Sequence, residues 1–156
     1  MSRPSTYKKP RGFSIVELLL ALAILAILTA IAIPSYQGYV ETSEIGRVIQ
    51  EMKQIELAVK NYQLDTGTYP RSLSQVGVNL SDPWGNPYQY LPIEGASAIV
   101  KGMQRKDHNL VPINSDFDLY SMGEDGASSP PLTAKASRDD IVRANNGAYY
   151  GYGKDY

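Results

Sequence analysis

The stretch Phe13–Ile33 reads FSIVELLLALAILAILTAIAI, and its only polar side chains are Ser14, Glu17 and Thr29. At about 1.5 Å of rise per residue, a helix of this length reaches roughly 31 Å, the thickness of a bilayer's hydrocarbon core. Apolar on every side, it needs lipid or other helices around it. Pro34 predicts a break in the hydrogen-bond ladder and a kink, and Gly38 and Gly46 soften the segment further. The pattern then resumes as a stripe. Ile45, Val48, Met52, Ile55, Val59 and Tyr62 recur at alternating intervals of three and four, the signature of a helix with one core-facing side. Arg47, Glu51, Lys53, Glu56 and Lys60 fall largely off that stripe. Gly67, after Asp65-Thr66, ends the helix, and Pro70 blocks a restart.

Beyond the helix the periods shorten. Residues 70–86 are rich in turn formers, with a short helical turn around Ser72-Leu73-Ser74-Gln75. Pro87–Leu91 and Phe117–Met122 read as strands bounded by Pro and Gly. Ala98-Ile99-Val100 is a candidate for one more. After Met122, a run of Gly, Ser and Pro predicts loop. No internal repeat is present. The expectation is an α+β fold. A long N-terminal helix, transmembrane in its first half and amphipathic in its second, packs on a small antiparallel sheet with a loop-rich C-terminus. The segments expected are 1–12 as a basic leader, 13–34 as the membrane helix, 35–65 as the amphipathic helix, and 66–156 as sheet and loops.

Charge orients this layout. Arg3, Lys8, Lys9 and Arg11 give residues 1–12 a charge of +4, in a chain whose net charge is -1. Basic residues ahead of an apolar span stay cytoplasmic, which puts the C-terminal domain outside a single-pass inner-membrane protein. The remainder has no basic patch of nucleic-acid type, and Lys101, Arg105 and Lys106 read as a short solvated run. The absence of cysteine excludes a disulfide framework and a thiolate site. An exported domain must then be held by packing or by a metal. His108 is the sole histidine, in a polar loop, and neither a triad nor a nucleotide-binding loop is visible. Trp84 reads as a packed structural residue, and Tyr149, Tyr150, Tyr152 and Tyr156 as a tail laid on the sheet or on a neighbour.

Glu17 is the informative residue. A carboxylate inside an apolar span is costly and is a functional hypothesis by default. A partner arises if the chain is cut between Gly12 and Phe13: the new Phe13 α-amino group lies four residues before Glu17. Two other processing outcomes compete. A conventional signal peptidase would use Ala30-Ile31-Ala32, although the apolar run exceeds the usual 7–15 residues of such a signal. An uncleaved anchor would keep Met1, leaving Glu17 to snorkel from the helix end.

Arg11-Gly12-Phe13-Ser14-Ile15-Val16-Glu17, with a basic leader before it and an apolar run to Pro34 after it, resembles the signal of type IV pilins and type II secretion pseudopilins. The resemblance implies cleavage after Gly12 by a prepilin peptidase and N-methylation of Phe13. It also implies pairing of Glu17 with the Phe13 amine of an adjacent subunit, and local unwinding near Pro34 in the filament. Asp82-Pro83-Trp84-Gly85-Asn86-Pro87-Tyr88 and Phe117–Gly126 are similar to elements of the major pseudopilin. That subgroup implies a non-enzymatic homo-oligomer, a helical filament in the periplasm. Its implied partners are minor pseudopilins and an inner-membrane assembly platform with a cytoplasmic ATPase. A type IV pilin for adhesion, motility or DNA uptake, and a single-span anchored enzyme or binding module, are the alternatives.

Asp125, Asp139 and Asp140 offer hard oxygen donors of the type calcium takes, without the spacing of an EF-hand. The same resemblance implies a calcium site made by Asp125, the Met122 carbonyl, and Asp139 or Asp140 before Ile141. A longer connection, Ala127 to Arg138, departs from the usual glycine-rich link.

Overall fold

The structure is a computed structural model that describes residues 12–108 and 111–156. Of the expected leader, residues 1–11 lie outside the described residues. Two compact units emerge, with the second beginning at Thr42. One helix, α1 (Ile15–Thr66), belongs to both.

In the first unit every residue from Gly12 to Glu41 is exposed, the large apolar side chains of Phe13–Ile33 included. Helix α1 continues through Pro34, Gly38 and Gly46, so the ladder rung expected to be lost at Pro34 does not end the helix. Proline removes a single N–H and the remaining rungs carry the helix past it. Close by, Ser35 Oγ donates to the Ile31 carbonyl at 3.0 Å.

In the second unit, α1 ends where the sequence predicts. Gly67 adopts φ +76° and donates to the Gln63 carbonyl at 2.8 Å. A 3-10 turn follows at Leu73–Val76. Strand β1 (Gln89–Pro92) precedes a short helix α2 (Ala98–Gly102), where a strand was expected. Ser97, extended at φ -65° and ψ 161°, starts that turn, and Met103 N–H closes it on the Val100 carbonyl. Strands β2 (Lys106–Asp107) and β3 (Val111–Pro112) make a small separate ladder. Strand β4 (Phe117–Ser121) lies within one residue of its predicted span. Two further strands, β5 (Ile141–Ala144) and β6 (Tyr149–Tyr152), stand in the region predicted as loop.

The main sheet is antiparallel throughout, in the order β1-β4-β5-β6. Strand side chains alternate between faces. Phe117, Leu119 and Ile141 join Val48, Met52, Ile55 and Val59 of α1 in the larger core, with Tyr69, Trp84 and Tyr90 packed against it. Val142 and Ala144 face the other way and pack with Ile113 and Leu132. The predicted stripe is thus the seam between helix and sheet.

One residue placed off that stripe, Glu56, is buried. Its carboxylate meets Arg143 of β5 at 3.0 Å and Lys60 at 2.6 Å, and accepts from the Tyr150 hydroxyl. Arg143 is fully buried, reaches Asp116 at 2.6 Å, and stacks its guanidinium 4.0 Å from the Phe117 ring centre. Burial pulls the Arg143 pKa down, but its bonds to Asp116 and Glu56 outweigh that and leave it raised.

The two faces of α1 give opposite expectations. Ile55→Ala should lower unfolding free energy by about 2–5 kcal/mol in urea titrations. Leu57→Ala, two residues on and 61% exposed, should change it by less than about 0.5 kcal/mol. Equal losses would displace the assigned core face.

Candidate functional site

At the head of α1, Glu17 has partners within its own chain. Glu17 Oε2 accepts from the Ser14 N–H at 2.8 Å and from the Ser14 hydroxyl at 2.9 Å. In return the Glu17 N–H donates to Ser14 Oγ at 3.2 Å. This reciprocal arrangement is a capping box, S-x-x-E, which satisfies backbone donors at a helix start. The reading of Glu17 through its charge alone missed it, although the signal was present in Ser14-Ile15-Val16-Glu17. Phe13 is the residue before this cap and is 87% exposed, and Gly12 is exposed beside it. An amine created at Phe13 would adjoin a carboxylate already fixed in place.

Two sequence elements noted separately converge in the second unit. In the Asp82–Tyr88 turn, Gly85 N–H donates to the Asp82 carbonyl at 3.0 Å, and Asp82 Oδ1 accepts from Asn86 N–H at 2.8 Å. Asp82 Oδ2 also accepts from Ser121 at the end of β4, while Asn86 Nδ2 donates to the Gly123 carbonyl at 2.9 Å. Tyr88 then reaches Glu51 of α1 at 2.7 Å, and Tyr90 the Pro70 carbonyl at 3.0 Å. Burial, and then the bond to Glu51, push the Tyr88 phenol well above its ordinary pKa. This turn therefore fastens helix, β1 and the loop after β4 together.

That loop holds the residues expected to bind calcium. Asp125 Oδ1 accepts from Ala127 N–H at 2.7 Å, and Asp139 Oδ2 from Asp125 N–H at 3.1 Å. Gly123, at φ +66°, lies so close to Asp139 that a Cβ there would stand 2.5 Å from both its carbonyl and its Oδ2. Asp140 faces elsewhere. It is fully buried and paired with Arg105, itself 3% exposed. Arg105, read as part of a solvated run, is instead interior. Burial pushes the Asp140 carboxyl above its usual range, against the opposing pull of Arg105 and of Ser128.

As arranged, Asp140 does not fit as a calcium ligand. Asp125 and Asp139 serve backbone N–H groups of the turn, and the Asp140 carboxylate is occupied by a guanidinium. Among the described residues no group of three or more acidic or histidine side chains converges. His108 is exposed and contacts only the neighbouring Asp107 among the charged groups described.

A family profile described as "Prokaryotic N-terminal methylation motif" matches residues 7–33. The chain is 27% identical over 140 residues to the type IV major pilin protein PilE of Neisseria gonorrhoeae, covering 86% of this chain and 83% of that one. It is 27% identical over 138 residues to type II secretion system core protein G of Klebsiella pneumoniae, covering 86% and 94%. Similarity to the type IV major fimbrial protein FimA of Dichelobacter nodosus is higher, 44%, over 55 residues. No solved structure matches the chain.

Gly123→Ala should destabilise the second unit by about 2–4 kcal/mol, combining a left-handed backbone with a clash at Asp139. Urea unfolding checks this, and a loss under about 0.5 kcal/mol would refute the close approach.

Proposed function

We propose that this chain, similar to type IV pilins and to type II secretion core protein G, is a pilin-like structural subunit that builds a periplasmic pseudopilus supporting type II secretion. The observation that carries this reading is the exposed apolar half of α1 headed by Glu17. A bilayer-length surface fits a membrane anchor while the subunit is stored. The same surface can be buried against copies of itself in a helical bundle. Prepilin peptidase cuts at Gly12–Phe13, and the Phe13 amine is methylated. Glu17 exchanges its intrachain Ser14 contacts for the positive Phe13 terminus of a neighbour, which sets axial register. A cytoplasmic ATPase acting through the inner-membrane platform supplies the energy for extraction, and minor pseudopilins start the filament. The subunit itself carries out no catalysis.

Coverage of 94% of the Klebsiella core protein G supports the pseudopilin reading, as does the turn at Asp82–Tyr88 with its ties to the Gly123 loop. A type IV pilus subunit is the second reading, favoured by equal identity to PilE. Deleting the gene and comparing the secreted proteins separates them. Lost export with no loss of surface fibres is expected, and lost fibres with intact export would favour the pilus.

Two further outcomes follow from the head of the helix. Mass spectrometry of assembled protein should find methylated Phe13 as the first residue, and recovery of Met1 would remove the basis for pairing. Glu17→Leu should be processed and inserted as before yet yield no filament by electron microscopy. Normal filaments from that variant would refute the role given to Glu17.

A further inference from the structure

Arg105 stands immediately before β2, on the side of the sheet away from α1. Its surroundings are those of a bound cation. Nη2 pairs with Asp140 Oδ2, and Nη1 donates to Ser128 Oγ and, at 2.6 Å, to the Ser129 carbonyl. The guanidinium carbon lies 4.3 Å from the Tyr120 ring centre, and the Arg105 N–H donates to Asp118 Oδ2 at 2.7 Å. A carboxylate, a hydroxyl and a carbonyl are the oxygen types that a calcium ion collects. Here a planar fork of N–H donors collects them instead.

The connections are long in sequence. Asp140 lies 35 residues from Arg105 and Ser128 lies 23. Ser137 closes the loop on itself by donating to the Ser129 carbonyl at 2.7 Å and accepting from Ser129 N–H at 2.9 Å. The cluster thus holds the long Ala127–Arg138 connection against β2, β4 and the start of β5. Such a clip offsets the closure entropy of a long loop in a chain without cysteine.

We propose that Arg105 is the built-in cation of this domain, tying the 123–140 loop to the sheet in the role that a divalent ion would otherwise fill, so that the fold does not require calcium. Asp140 Oδ1 has no protein partner among the described residues. An ion drawn to that oxygen would share one carboxylate with the guanidinium, and like charges that close in a buried setting repel strongly. Asp118, beside it, accepts from Arg105 N–H at one oxygen and from Asn114 Nδ2 at the other, at 2.9 Å. This inference concerns the stability of the subunit and does not depend on which filament the subunit builds.

The test uses the full chain in detergent, melted by near-ultraviolet circular dichroism in excess calcium chloride and in excess EGTA. Equal melting temperatures are expected, with equal rates of trypsin cleavage after the exposed Lys135 and Arg138. Arg105→Gln should lower the melting temperature by roughly 10–20 °C, the effect of leaving a buried charge unpaired in a domain of this size, and calcium should not restore it. Arg105→Met combined with Asp140→Leu should recover most of that loss, because apolar side chains can replace a buried ion pair. A marked fall in the wild-type melting temperature in EGTA, several-fold faster cleavage there, or wild-type melting of Arg105→Gln would each overturn the proposal. Should Arg105→Gln fail to fold, the wild-type comparison decides alone.

Discussion

Backbone in apolar surroundings has to satisfy its own hydrogen bonds, a constraint that the exposed apolar half of α1 is built to meet. A single unbroken helix meets it for the main chain. The polar side chains meet it in the same way. Ser14 and Glu17 close on each other, and the Thr29 hydroxyl lies 2.9 Å from the Leu25 carbonyl and 3.0 Å from that of Ala26. Each polar side chain between Phe13 and Ile33 is therefore satisfied within the helix. What remains outward is apolar surface, suited to lipid and to other helices alike.

The second unit solves a different problem. It has no disulfide and a modest apolar core, and it buries charges to join its layers. Glu56, Arg143 and Asp116 join helix to sheet on one face, and Arg105, Asp140 and Asp118 join loop to sheet on the other. In both clusters an arginine stacks on a ring of β4, Phe117 or Tyr120. Buried ion pairs contribute little net stability over apolar replacements, but breaking one by removing a single partner is costly.

The long helix, its apolar stripe, its end at Gly67 and the strand at Phe117–Ser121 were legible because each rests on a local period or a local stop. Strands β5 and β6 were not. Four residues each, they owe their state to pairing with β4 and with one another, which no local pattern announces. Ala98–Val100 failed for the opposite reason, an apolar run too short to fix its own period. The Ser14 cap of Glu17 was readable in the spacing Ser14-Ile15-Val16-Glu17 and overlooked. Arg105 could not be found that way, because its burial depends on Ser128, Ser129 and Asp140, all distant in sequence.

The pairing of Glu56 with Arg143 spans 87 residues. In a chain made from its N-terminus, the acid is complete long before the buried base that meets it. Until β5 is made, Glu56 has Lys60, one helical turn on, as its charge partner beside Met52 and Ile55. The helix is thus finished well before the strand that covers Glu56 exists, and the seam between helix and sheet closes only after β5 is made.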